Sequence, residues 1–99
     1  MRVLVIGAEG QLGAELRNVY AGDDCVGADL DGGGYLLDVC DASAVHRCIV
    51  QDIRPELVIN AAAAHHVPDC ENNPGVAFAV NAIGARGIAI ACHEAHARL

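Results

Sequence analysis

The segment Arg2-Val3-Leu4-Val5-Ile6-Gly7-Ala8-Glu9-Gly10-Gln11-Leu12-Gly13 constrains the fold more than any other part of the chain. Val3 to Ile6 run apolar without a break, the pattern of a strand buried on both faces of a parallel sheet. Glycines then fall at 7, 10 and 13, and Leu12, Leu16, Val19 and Tyr20 follow at helical spacing. The expected local structure is strand, glycine turn, helix. In such a unit the first glycine permits the sharp turn, the second lets a ligand approach the backbone, and the third lets the helix pack on the strand. Backbone N–H groups at the start of the helix would face a phosphate, with the helix dipole adding attraction. The spacing is G-x-x-G-x-x-G, since Glu9 and Leu12 stand where the commoner G-x-G-x-x-G pattern has glycine. A phosphate loop of the G-x-x-x-x-G-K type is excluded because the chain has no lysine. Three glycines alone also suit an ordinary strand-to-helix turn; the flanking strand and helix favour a dinucleotide pyrophosphate site.

Downstream elements fall where a dinucleotide would need them. Asn18 to Asp24 is a polar turn, and Cys25 to Ala28 reads as a second strand ending at Asp29. An acidic residue about 20 positions beyond the glycine loop is placed to accept hydrogen bonds from the adenosine ribose; a solvated turn residue is the competing explanation. No arginine lies between Arg17 and Arg47 to neutralise a 2′-phosphate near Asp29 and Asp31, so NAD is favoured over NADP. Asp31-Gly32-Gly33-Gly34 precedes a strand, Tyr35 to Leu37, rather than a helix, and so lacks phosphate-binding geometry. Asp41 caps a helix over Ala42 to Ile53 with Val45, Ile49 and Ile53 on one face, ended by Arg54-Pro55.

Leu57 to Asn60 is a fourth strand, followed by Ala61-Ala62-Ala63-Ala64. Small residues there leave room for a cofactor, or simply make a tight core. After a loop at His65 to Glu71, Asn73 caps a long helix that opens on Pro74. Val76, Val80, Ile83 and Ile90 are expected on its buried face, with Gly84 and Gly87 permitting close approach to a neighbour. The resulting class is α/β: a Rossmann-type parallel sheet of about four strands in order 3-2-1-4, helices on both faces, with ligands at the switch point between strands 1 and 4.

Composition narrows the function classes. Ninety-nine residues make one domain at most. A net charge of −7 argues against nucleic acid or an anionic membrane as partner. No run has transmembrane length and no secretory leader is present, so a soluble, cytoplasmic chain is expected. Cys25, Cys40, Cys48, Cys70 and Cys92 are odd in number and form no C-x-x-C pair; they read as reduced core residues. His93 and His96 beside Cys92, and His65-His66 near Cys70, carry metal-ligating types, but a frayed helix end and a loop are their plainer readings, and no metal is expected.

Together these residues resemble the extended short-chain dehydrogenase/reductases, the NAD-dependent epimerase/dehydratase superfamily. Gly7 to Gly13 matches their G-x-x-G-x-x-G loop. The run Arg54 to Ala63 is most similar to the dTDP-4-dehydrorhamnose reductase branch, and Leu37-Asp38-Val39-Cys40-Asp41 and Ala77 to Gly84 point the same way. The resemblance implies that Gly7, Gly10, Gln11, Leu12 and Gly13 hold the pyrophosphate and Asp29 the adenosine ribose. It implies that Asp38 and Val39 contact the adenine, that Ala61, Ala62 and Ala63 lie along the nicotinamide side, and that Asn81 helps position catalytic groups. Residues 1–99 would then be the N-terminal dinucleotide-binding portion, without a substrate domain, of a protein whose complete form takes a nucleotide sugar.

One departure limits the reading. Such reductases use a Tyr-x-x-x-Lys pair, in which the tyrosine protonates the carbonyl that hydride attacks. Here Tyr20 precedes Asp24 and Tyr35 precedes Val39 at that spacing. The chain alone is therefore catalytically incomplete, and no catalytic residue is assigned. The alternative is a non-catalytic dinucleotide-sensing module acting through a protein partner. The fourth strand is expected to be an uncovered sheet edge, open to self-association.

Overall fold

The computed structural model describes residues 1–30, 34–62 and 74–99, the side chains of the last segment from residue 82 onward. Its elements are β1 (Arg2–Ile6), α1 (Gln11–Val19), β2 (Asp24–Asp29), β3 (Tyr35–Leu36), α2 (Ala42–His46), β4 (Leu57–Asn60) and α3 (Pro74–Ala95). The four strands form one parallel sheet in the order β3-β2-β1-β4, as the sequence implied. In β1, Ile6 pairs with Ala28 of β2 and with Asn60 of β4, so the ends of all three strands share one edge.

The apolar run of β1 works on both faces. Leu4 and Ile6 join Ala28, Val45, Cys48, Ile49, Val58 and Ile88 in the larger core, beneath α2 and α3. Val3, Val5 and Ala8 face the other way, against Leu16 of α1 and its C-cap Tyr20. Each such fully buried aliphatic side chain contributes about 1.5–3 kcal/mol, so β1 is the spine of the fold.

The helices differ from expectation in instructive ways. In α1 only Gly13 is buried; Leu16 and the C-cap Tyr20 are half-buried on the same side, while Leu12 and Val19 are 58% and 74% exposed. The helix that opens at α2 is capped by Asp41, whose side chain accepts from the Ala44 N–H at 3.1 Å. It widens to a π-helical segment over Arg47–Ile53, still burying Val45 and Ile49, and stops at Arg54 in left-handed conformation (φ 52°).

On α3 the assignment of the buried face needs correction. Ile83 and Ile90 are 52% and 49% exposed; Gly84, Ile88, Ala91 and Cys92 face the core instead. The helix is apolar nearly all round, so the apolar positions do not define a single stripe. What turns it is Gly84, whose missing Cβ would sit 3.1 Å from the Val39 side chain. Gly87, by contrast, has nothing within 4 Å of its would-be Cβ among the described residues. Pro74 does begin the helix; Asn73, Val76 and Val80 fall outside the residues or side chains described.

Two further expectations change. The edge of β4 is not bare: the Val58 N–H donates to the Arg98 carbonyl at 2.8 Å, and the Arg98 N–H to the Glu56 carbonyl at 2.9 Å. The chain returning from α3 therefore pairs with β4 in parallel. Of the cysteines, Cys48 and Cys92 are core residues and Cys25 is half-buried, but Cys40 is exposed; Cys70 lies outside the described residues.

Candidate dinucleotide site

The glycine loop joins β1 to α1 at the carboxyl edge of the sheet, and its three glycines have separate duties. Gly7 adopts φ +80°, and a Cβ there would lie 2.6 Å from the Ala62 nitrogen, so the turn crosses directly against the end of β4. Gly13 fits α1 onto the turn, since a Cβ would lie 2.2 Å from the Gly7 carbonyl oxygen. Gly10 differs: among the described residues a Cβ there would meet only that oxygen, at 3.4 Å. Gly10 is thus the glycine whose outer side is open to a ligand, and it is also the N-cap of α1, with no side chain capping the helix. Among the described residues, the first-turn N–H groups of α1, at Gln11, Leu12 and Gly13, have no side-chain acceptor from the cap, as a pyrophosphate cradle requires.

The loop is pinned from beneath. The N–H groups of Gly7 and Ala8 both donate to the Ala28 carbonyl, at 2.8 and 3.2 Å, and the Gly10 N–H donates to Gly7 at 3.2 Å. Asp29 stands at the end of β2 beside it. One of its carboxylate oxygens accepts from the Glu9 N–H at 3.0 Å and the other from the Leu30 N–H at 2.7 Å. The acidic residue singled out by spacing therefore meets the glycine loop, with its carboxylate oriented by two backbone donors.

On the other side of the loop, the Ala61 N–H donates to the Ile6 carbonyl at 2.8 Å, and the Ala62 N–H to the Asn60 side-chain oxygen at 3.1 Å. Ala61 and Ala62 are half-buried against Gly7. Ala63 and the side chain of Asn81 lie outside what is described, as do His65, His66 and Cys70. Asp38 and Val39 follow β3. Asp38 is exposed and its carboxylate accepts from the Cys40 N–H at 2.9 Å, while the Val39 side chain is turned to Gly84 of α3. Gly7 to Gly13, Asp29, Ala61 and Ala62 thus come together at one edge, and Asp38 and Val39 flank it one strand further out.

Two residues at this edge escaped the sequence reading. Glu9 supplies the N–H that Asp29 holds, and its carboxylate lies 3.7 Å from the Arg17 guanidinium. The Arg17 stem passes over Gly27, where a Cβ would lie 3.4 Å from the Arg17 Nε. The only trace in the sequence is Gly27 itself, a glycine inside a strand, which marks close approach from above.

The family model described as the RmlD substrate binding domain matches residues 1–99. The chain belongs to this family. It is 42% identical over 100 residues to the dTDP-4-dehydrorhamnose reductase of Streptomyces griseus, covering 99% of this chain and 31% of that protein. The solved structure of dTDP-4-dehydrorhamnose reductase from Bacillus anthracis in complex with NADP shares its fold with a TM-score of 0.80 at 36% identity, over 97% of this chain and 34% of that one. The UDP-glucose 4-epimerase of Thermus thermophilus in complex with NAD gives a TM-score of 0.81 at 26% identity, over 97% and 35%. The chain spans about a third of the length of these relatives. Both nicotinamide dinucleotides thus occur among proteins of this fold. No helix among the described residues is long and apolar enough to cross a membrane.

Proposed function

We propose that residues 1–99 are the cofactor-binding portion of an NAD(P)-dependent nucleotide-sugar reductase of the dTDP-4-dehydrorhamnose reductase kind. The observation that carries the reading is the division of labour among Gly7, Gly10 and Gly13. One glycine turns the chain, one lies open at an uncapped helix start, and one seats the helix on the strand, which is the arrangement a pyrophosphate needs. In this reading Gly10, Gln11, Leu12 and Gly13 offer their N–H groups to the pyrophosphate, and the Asp29 carboxylate accepts from the adenosine ribose. Asp38 and Val39 border the adenine, and Ala61, Ala62 and Ala63 leave space along the nicotinamide.

When bound, the cofactor supplies hydride to a keto-sugar nucleotide in the complete protein. The groups of this chain hold it and exclude water. The proton that reduction also requires has no donor of the Tyr-x-x-x-Lys type here, because the chain has no lysine. NAD is the preferred cofactor, because the carboxylates of Asp29 and Glu9 together disfavour a 2′-phosphate. A cytoplasmic setting follows from that choice of cofactor and substrate.

Isothermal titration of NADH into this chain tests the reading. Saturable heat is expected, reduced about tenfold or more in affinity by Asp29→Ala, which removes a charge-assisted hydrogen bond. Absence of heat and of fluorescence change at millimolar NADH would overturn it.

A further inference from the structure

The corner of the site formed by Asp29, Glu9 and Arg17 carries an inference about cofactor choice. Asp29 and Glu9 are tied together by the hydrogen bond from the Glu9 N–H at 3.0 Å. The second carboxylate, that of Glu9, faces Arg17 Nη1 at 3.7 Å, and both side chains are about half exposed. A pair this long and this exposed is held only weakly, and one rotamer change frees the guanidinium. Its route is kept clear by Gly27, where any side chain would press on Ala8 at 2.8 Å and on the Arg17 Nε at 3.4 Å.

We propose that Arg17 sets the specificity of the site for the 2′ position of the adenosine ribose. This rests on the dinucleotide reading above and deepens it. Paired with Glu9, Arg17 leaves Asp29 to accept from a 2′-hydroxyl, and the corner favours NAD. Released from Glu9, the guanidinium turns to a 2′-phosphate, whose oxygens match its planar fork. The site then takes NADP as well, less tightly, because two carboxylates remain beside the phosphate. An arginine near the ribose acidic residue is the general means of accommodating that phosphate. Arg17 also lies in the last turn of α1, where a cation stabilises the helix end. That role alone would make it indifferent to which cofactor is bound.

The test is calorimetric titration of this chain with NAD and NADP, and with the adenosine halves 5′-AMP and 2′,5′-ADP. The wild type is expected to bind both dinucleotides, NAD more tightly. Arg17→Gln, which keeps the stem and removes the charge, should weaken NADP and 2′,5′-ADP about tenfold or more while leaving NAD and 5′-AMP within about twofold. Glu9→Gln should strengthen NADP by about tenfold, by releasing Arg17 and deleting a repelling charge. Equal losses for both dinucleotides in Arg17→Gln, or an unchanged ratio in both variants, overturns the proposal. So does a wild type that binds NAD but shows no heat with millimolar NADP, a result that leaves the dinucleotide reading standing. Failure to bind either cofactor overturns both.

Discussion

Alanine substitution at Gly13 should be among the most damaging single-methyl additions in this molecule, and the size of the effect follows from the packing. The added Cβ would lie 2.2 Å from the Gly7 carbonyl oxygen and 2.8 Å from the Ala8 Cα. Both are backbone atoms, and neither can give way freely. Gly7 and Ala8 donate to the Ala28 carbonyl, and Gly7 accepts from Gly10, so relief of about 1 Å at Gly7 would disturb the whole loop. Overpacking of this kind costs about 1–3 kcal/mol and more where the neighbours are fixed. Alanine recovers about 1 kcal/mol through its better helix propensity. The net expectation is a loss of about 2–3 kcal/mol from a domain whose total stability is of order 5–15 kcal/mol. Gly87→Ala is the internal control. It lies in the interior of α3 with nothing within 4 Å of the new Cβ among the described residues, so the propensity gain is what remains, about 0.5–1 kcal/mol. Urea denaturation followed by far-ultraviolet circular dichroism reads both. With a slope of about 1–1.5 kcal/mol per molar, the midpoint should fall by about 2 M for Gly13→Ala and rise by about half a molar for Gly87→Ala. A Gly13→Ala midpoint within 0.3 M of wild type, or equal losses at the two positions, would refute the reasoning from close approach.

Other expectations follow from the same packing and from the titrating groups. Ile88→Ala should cost about 2–4 kcal/mol by opening a cavity under α3, whereas Ile90→Ala should stay within about 0.5 kcal/mol; comparable losses in urea melts would mean the helix is turned differently. The Tyr35 hydroxyl donates to Asp52 at 2.5 Å, and this bond, followed by burial, pushes its pKa up to about 12. A raised pKa favours the protonated form in the fold, so the contribution is whole below about pH 10 and is lost as pH rises toward 12. Tyr35→Phe should therefore be less stable by about 1 kcal/mol at pH 8, allowing for solvent screening at the exposed Asp52, and equal to wild type near pH 12. A difference that persists at pH 12 would contradict the linkage. Burial, with the Asp52 charge, pushes the Cys48 thiol up to about 11. In native protein at pH 8 an aromatic disulfide reagent should leave Cys48 unmodified by peptide mapping, and should label it fully in urea; rapid native labelling would show that the core under the π-helical segment opens.

Much of this molecule is local and therefore readable without a structure. The unbroken run Val3 to Ile6 announces a strand covered on both faces, because four apolar residues cut off by a glycine turn are too short for a buried helix and of the right length for a buried strand. The glycines at intervals of three, and the acidic residue at the end of the next strand, are the signals on which the proposed dinucleotide edge rests, and each answers a requirement of backbone geometry rather than of distant contacts. Strand order also followed from sequence, since parallel strands with right-handed crossovers leave few arrangements open.

Tertiary structure decided what depends on which surfaces meet. The rotation of α3 was invisible in a helix apolar on every side; the contact of Gly84 with Val39 sets it, burying Ile88 and exposing Ile83 and Ile90. The pairing of Arg98 with β4 closes an edge that the strand's own composition leaves open. The same is true of Arg17. Nothing in the order of residues joins it to Glu9 and Asp29, because they lie on a helix, a turn and a strand. They meet because Gly13 draws α1 down onto the loop and Gly27 clears a path across β2, two close approaches that become specific contacts only once the chain has folded.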